Sequence, residues 1–484
     1  MDETVGANWF AYTAILAWPL VALALYNFRP FSEATAWTVL GALLFLPSQV
    51  AIKFPMIPAI DKTSVANISA LLGCAMFAPR LRRVPAAIGV VALLAIVYIA
   101  SPVVTSVLNN DDVVAGPVTI PGVGYYDGIS ALLSQSIMFL TFFAGLRFLA
   151  RAGDTEALLR VLVVAGLVYS LLMLFEIRMS PQLSRWIYGI FSSSFATETR
   201  YGGFRPVVFM INGLAAAFFL STAVIGAAAF WRARIRVVAV PSAGVSAYLG
   251  VVLILCKSAG ALIYAVLFGA LVRWFTPKVQ MRLAVVLTVV AVMYPVLRMN
   301  NFFPTEQLVE AAAVFNRERA DSLKFRFDQE QQLLAHASER FWFGWGRYGR
   351  NRVYEESGKD TSITDGQWIL TFGQFGFFGF MSQFGLLTLP VFYAARTYRL
   401  VRSRRQAIFL CCLTLLVAIS VVEQIPNASI SAWTWLLAGA LLGRCAAVRA
   451  EAGSMKTARS LAPAPSLTPV GGTIGSHRIP YQFH

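Results

Sequence analysis

Charge is what this sequence has least of. Only 13% of its 484 residues are Asp, Glu, Lys or Arg, about half of the ~25% usual in soluble domains. The deficit falls in apolar blocks of about 20 residues, each long enough to cross a bilayer core of ~30 Å. That excludes a soluble enzyme and a disordered chain. Cysteine is sparse too: Cys74, Cys256, Cys411, Cys412 and Cys445 lie in or beside apolar segments without CxxC spacing. Neither a disulfide scaffold nor a zinc site is expected from them. The three histidines, His336, His477 and His484, are too scattered for a histidine metal site or a Ser-His-Asp triad. The chain carries no Walker motif, so no ATP-driven chemistry is expected. Asp111-Asp112 reads as a solvated acidic loop in preference to a cation site.

What the chain does have is a mean hydropathy of +0.65 and a net charge of +16. The bases sit in short runs between apolar segments: Arg80, Arg82 and Arg83; Arg232, Arg234 and Arg236; Arg396 to Arg405. Such runs set membrane topology, so the expected partner is a lipid bilayer and not a nucleic acid. Thirteen spans are read at 8–27, 34–52, 64–79, 85–104, 128–149, 157–177, 207–231, 237–256, 259–274, 282–298, 366–395, 406–424 and 428–447. One helix over 237–274 would extend ~57 Å, so two short spans hinged at Lys257-Ser258 are expected there. The fold class is all-α, a polytopic bundle of 12–14 transmembrane helices.

Placing the basic runs in the cytoplasm puts loops 53–63, 105–127, 178–206, 299–365 and 424–428 on the outer side. Four regions follow: membrane helices over 1–298 including loop 178–206, a large outer loop over 299–365, further membrane helices over 366–449, and a mobile cytoplasmic tail over 450–484. Asp2 and Glu3 stand where a cleavable signal would carry bases, so the first span is expected to be retained.

Both large outer loops are basic although topology gives them no reason to be. The first has Arg178, Arg185, Arg200 and Arg205; the second has Arg317, Arg319, Lys324, Arg326, Arg340, Arg347, Arg350, Arg352 and Lys359. An anionic ligand would account for them, as would snorkelling toward headgroups. The second loop reads as two amphipathic helices, about Thr305 to Phe315 and Asp321 to Phe341. On the latter, Leu323, Phe327, Leu334 and Phe341 form a stripe that should lie on the membrane or cap the bundle, with Arg319 and Arg326 beside it. Phe343 to Arg350 follows as a Gly/aromatic turn containing Arg347, a composition suited to sugar rings. Asp365 sits at the mouth of the next span, where a carboxylate serves as a cap or as a general base. Arg205 precedes a span directly, where its fork suits phosphate oxygens. Lys257 interrupts an apolar stretch on the same side, and Glu423 lies in a short outer turn where pairing with an arginine is expected.

The order of motifs resembles the O-antigen ligase/O-antigen polymerase superfamily of bacterial envelope glycosyltransferases. The carrying residues are Leu46-Pro47-Ser48 with Asp61-Lys62, Arg200 to Pro206, Lys257 to Ala261, Gly344 to Arg347, Asp365 to Trp368, Gly373 to Gly376 and Pro426 to Ser429. They span most of 40–445 and are nearer to the exopolysaccharide-polymerase branch than to the ligases, which place a histidine near the end of the large loop. The resemblance implies a GT-C-like enzyme without metal or other cofactor, acting at the periplasmic face of the inner membrane on undecaprenyl-pyrophosphate-linked oligosaccharide. A polysaccharide chain-length regulator is a further candidate partner. By the same resemblance Arg205 with Arg326 or Arg319 would hold the donor diphosphate, and Asp365 would activate the acceptor. Arg200, Arg319, Arg347, Lys257 and Glu423 would bind substrate. A ligase, or a carrier of lipid-linked glycans, are the alternatives.

Overall fold

The computed structural model describes residues 6–54, 57–78, 89–191, 193, 195–200, 202–315 and 317–461. Apolar runs become helices where a local signal starts them. The Asn8 side chain accepts the Ala11 amide at 3.0 Å and opens α1 (Trp9–Phe28), which is followed by α2 (Phe31–Phe45). A hairpin of β1 (Ala51–Phe54) and β2 (Ile57–Asp61) then leads into α3 (Lys62–Phe77), where Asp61 and Ser64 form a capping box. Helix α4 (Gly89–Val107), the hairpin β3 (Val113–Ala115) and β4 (Val118–Ile120), α5 (Tyr125–Phe148) and α6 (Ala152–Met179) come next.

A loop holding α7 (Leu183–Tyr188), α8 (Phe195–Glu198) and the hairpin of β5 (Thr199–Arg200) and β6 (Gly203–Phe204) ends where Asn212 caps α9 (Gly213–Ala233). Helices α10 (Ser242–Leu255) and α11 (Ala259–Trp274) form the expected short hairpin, turning at Lys257 with a left-handed φ of 54°. Proline at the first position opens α12 (Pro277–Met299). Helices α13 (Thr305–Phe315) and α14 (Arg317–Glu339) build the large loop, and α15 (Gln367–Thr397), α16 (Arg404–Glu423) and α17 (Ala432–Leu461) close the bundle.

Thirteen of these helices, α1–α6, α9–α12 and α15–α17, overlap the thirteen expected spans, although the one expected over 34–52 stops at Phe45, where the chain turns into β1. Eight are long and apolar enough to cross a membrane by length and composition. The chain is an all-α polytopic membrane bundle, with strands confined among the described residues to three two-stranded hairpins. Helices α9 and α16 run through its centre, buried along most of their length. Helices α5 and α17 meet backbone to backbone: a Cβ on Gly439 or Gly443 would strike the carbonyls of Phe142 or Leu146. Small residues four apart replace hydrophobic drive with close packing, as suits helices in lipid. The expected tail begins late, because α17 continues to Leu461; 462–484 and the Arg80–Arg83 run lie outside the described residues.

The loops sort to two ends, as the charge alternation requires. At one end Arg405 pairs with Glu156 at 2.7 Å, Arg160 donates to the Val237 carbonyl at 3.0 Å, and Ser32 meets Asp154. At the other, here the loop face, Asn8 donates to the Tyr188 carbonyl, Gln367 to the Gln424 carbonyl, and Arg340 pairs with Asp111 at 2.6 Å.

The span expected over 366–395 is not one continuous helix. Gly376 takes φ 64°, ψ −159°, conformations that glycine alone adopts readily, and α15 breaks there. The freed carbonyls of Gly373 and Gln374 accept the amides of Trp345 and Gly346 at 2.8 and 2.9 Å. The freed amides of Phe377 and Phe378 donate to the carbonyls of Phe341 and Trp342 at 2.7 and 3.2 Å. Segment 341–346 thus replaces the broken helix's own partners. Gly344 is needed as well, with φ 71° and a Cβ position blocked by the Gln374 backbone. The other flank of this segment is held by α4, where Thr105 donates to the Phe343 carbonyl at 2.6 Å and Asn109 to that of Gly344 at 3.0 Å.

Two arginines complete the anchor. Arg350 is fully buried and donates to the carbonyls of Asp111, Pro121 and Trp345. Arg340 lies 4.1 Å from the Trp345 ring centroid, on an indole that stacks on His336 at 4.3 Å. The Arg340 hydrogen bond is the main reason that the Asp111 carboxyl lies below the usual carboxylate range.

Gly376→Ala should destabilise the fold by about 2 kcal/mol, read as a lower melting temperature of the purified protein in detergent. Because the Asp111 carboxyl is lowered, its contribution is present above the ordinary Asp range and lost as pH falls through its depressed value. Asp111→Asn should therefore remove acid-induced protease sensitivity of loop 299–366 by making the loop sensitive already at neutral pH.

Candidate functional site

A cavity of about 390 Å³ opens beneath the loop face, within the ~300–1,000 Å³ of typical small-molecule sites. Its wall is built in two tiers. The upper tier is polar: Lys62 and Thr63 start α3, Asn212 caps α9, Thr364 and Asp365 precede α15, and Glu423, Gln424, Asn427, Ser429 and Ser431 surround the α16–α17 turn. The lower tier is mostly apolar, with Phe218 and Phe219 from α9, Leu416 from α16, and Trp433 and Leu437 from α17. Such a wall suits an amphiphile, head above and chain below.

Lys62 is placed by its surroundings. Its ammonium donates to Ser48 Oγ at 2.7 Å and to the Leu43 and Phe209 carbonyls at 3.4 Å. These are neutral acceptors. Ser48 donates in turn to the Phe209 carbonyl at 2.7 Å, which ties the end of α2 to the segment entering α9. Glu176 of α6 holds the same segment: its buried carboxylate accepts the amides of Leu183, Val207 and Val208 at 3.0, 2.8 and 2.7 Å.

Asp365 is not the helix cap. Gly366 takes that position without a side-chain hydrogen bond, and a Cβ there would collide with the Ile425 carbonyl. The Asp365 carboxylate instead meets Arg326 Nε at 3.5 Å, both side chains about half exposed. Asp365 also borders a second recess of about 140 Å³, lined by Leu323, Arg326, Phe327, Glu330 and Pro426. The Arg326–Asp365 pair therefore stands at the partition between two cavities.

Arg326 is held there by its helix. One face of α14, with Leu333, Leu334 and Ala337 buried, packs on the bundle, so the predicted stripe is a cap over helix ends. Glu330 locks it, accepting from Tyr294 at 2.8 Å, Arg298 at 3.1 Å and Trp368 at 2.8 Å. Burial raises the Glu330 carboxyl above its ordinary range, against the pull of those three donors.

The remaining candidates divide. Glu423 lines the large cavity and is 7% exposed. Its partners are Asn427, donating at 2.6 Å, and Tyr264, where an arginine was expected. Arg205 borders neither cavity. It is buried behind the α9 wall, packed on Gly213 and paired with Glu198 at 3.7 Å. The Lys257 ammonium lies nearby against Gly203. Arg347 belongs to the anchored turn, 5.7 Å from the Tyr348 ring, and also borders neither cavity. The side chains of Arg200 and Arg319 lie outside the described residues.

Sequence reasoning passed over Lys62, Glu176, Asn427 and Glu330 as site or positioning residues. Lys62 and Glu176 carried a readable signal, an ionisable group at or within an apolar span. Glu330 carried none, since its buried face exists only after α14 docks.

Residues 244–384 match the O-antigen ligase family. The match runs from α10 to Phe384, past the break in α15, and includes Lys257, Arg326, Arg347 and Asp365; Lys62, Arg205 and Glu423 lie outside it. No curated protein matches the chain significantly. The helical membrane bundle and the motif order are consistent with this match: over residues 244–384 the chain is similar to the O-antigen ligase family.

Proposed function

We propose that this chain is a glycosyltransferase of the O-antigen ligase/polymerase type. In our reading it polymerises undecaprenyl-pyrophosphate-linked oligosaccharide repeat units into exopolysaccharide or O-antigen at the periplasmic face of a bacterial inner membrane. The observation that carries the reading is the Arg326–Asp365 pair at the partition of a cavity that is polar above and apolar below. A lipid-linked diphosphate has that same profile.

A diphosphate oxygen competes well for a guanidinium that is half exposed and held by one carboxylate. Donor binding at Arg326 then releases Asp365 into the cavity. Arg205, behind the α9 wall with Glu198, adds positive potential from the other side. An acceptor hydroxyl attacks the anomeric carbon, and the diphosphate departs with its charge offset by Arg326. The free energy of that leaving group drives the transfer without nucleotide. Glu330 acts on Arg326 only by fixing α14, as a positioning residue.

A ligase is the second reading, favoured by the description of the matching family. Purified protein supplied with lipid-linked repeat unit and no nucleotide separates the two. A ladder of longer glycans supports the polymerase, and a single transfer to a supplied lipid acceptor supports the ligase. Movement between leaflets without new bonds refutes both.

Arg326→Ala should lower the polymerisation rate by about 10²–10³-fold without unfolding the protein; full polymer length and yield would refute the assignment. Glu330→Gln, which acts only through the position of Arg326, should weaken donor binding less than Arg326→Ala does at equal expression. The check is the KM for the donor in each variant.

A further inference from the structure

Two carboxylates face the large cavity, and they are held differently. Asp365 is shared with the Arg326 guanidinium and is about half exposed at the mouth. Glu423 is 7% exposed, deeper in the wall, at the C-terminal residue of α16. Its partners are two neutral donors, the Asn427 amide at 2.6 Å and the Tyr264 hydroxyl of α11. Among the described residues no lysine or arginine comes within ion-pair distance of it.

A carboxylate withdrawn from water without a cation is costly for the fold, and a helix C-terminus adds negative potential. Neither Asn427 nor Tyr264 neutralises it. Helix α16 is already buried along most of its length, so its packing does not require a carboxylate at this position. The carboxylate does leave oxygen lone pairs facing a cavity whose rim, with Asn212, Asn427 and Ser429, offers hydrogen bonds to sugar hydroxyls.

Resting on the function proposed above, we propose that Glu423, and not Asp365, is the catalytic base of the transfer. Its carboxylate takes the proton of the acceptor hydroxyl while that oxygen bonds to the anomeric carbon. The bond from that carbon to the phosphate oxygen breaks, and its electron pair leaves with the diphosphate. Glu423 ends protonated and returns its proton to water in the cavity. Asp365 is then the residue that keeps Arg326 occupied until donor arrives.

The test uses two nucleophiles with the full-length protein and a lipid-linked repeat unit. A sugar hydroxyl must lose a proton; azide has none to lose and needs no base. Glu423→Gln should lose transfer to sugar by about 10²–10⁴-fold while still forming glycosyl azide near the wild-type rate. That product also reports a folded donor site. Glu423→Asp should recover part of the transfer to sugar. Asp365→Asn should affect both nucleophiles alike.

Normal polymerisation by Glu423→Gln overturns the assignment. So does equal loss of both products in Glu423→Gln and Glu423→Asp, which marks a structural role. An azide-only pattern in Asp365→Asn instead makes Asp365 the base. If the wild-type protein uses the lipid-linked donor with neither nucleophile, the functional reading itself fails, an outcome distinct from all the others.

Discussion

The large loop depends on an exchange of backbone hydrogen bonds. Inside a membrane bundle a broken helix leaves amides and carbonyls that no water can satisfy, and each costs several kcal/mol unless protein replaces the partner. At Gly376 the replacement is segment 341–346, which supplies two donors and two acceptors in register with the gap. Neither element is complete without the other. Once joined, they hold the end of α14 and the middle of α15 at fixed separation. The side chains in front of both, Arg326 and Asp365, are thereby brought to one place.

The basic character of the loop takes on a different meaning in that light. Arg340 and Arg350 are spent on Asp111 and on carbonyls of the 111–121 segment, and Arg352 pairs with Asp360. Their charge anchors the loop to its neighbours. Among the described residues of the loop, Arg326 lines the smaller recess, beside the Asp365 that borders both cavities. Total charge therefore overstated how many arginines can meet a ligand. In the other basic loop Arg205 is likewise engaged, by Glu198, behind the cavity wall, although the segment it begins supplies Met210, Ile211 and Asn212 to that wall.

The cavity gathers residues from helices far apart in the chain, from Leu43 in α2 to Leu437 in α17. Only part of it lies within the region matching the O-antigen ligase family. The family region contributes the half-exposed Arg326–Asp365 pair and Thr364; the remainder contributes most of the polar rim and the apolar floor.

Much of the architecture was legible in the residues because lipid imposes a simple rule. Apolar length sets a helix, so thirteen helical segments, eight of them long and apolar enough to cross a membrane, the hinge at Lys257-Ser258 and the stripe on α14 were legible in the residues. Arg326, Asp365 and Glu423 were also marked, as ionisable groups at membrane edges. Their relations were not. Glu423 faces Asn427 and Tyr264 in place of an arginine, and Gly344 joins Gly376 in a backbone junction that no single segment announces. Hydropathy is a property of one segment at a time, whereas an ion pair or a carboxylate without a cation is decided by which segments touch. Apolar runs suffice to say which segments become membrane helices, because burial in lipid rewards each segment separately; which charges neutralise one another and which are left facing the cavity depends on how those helices pack.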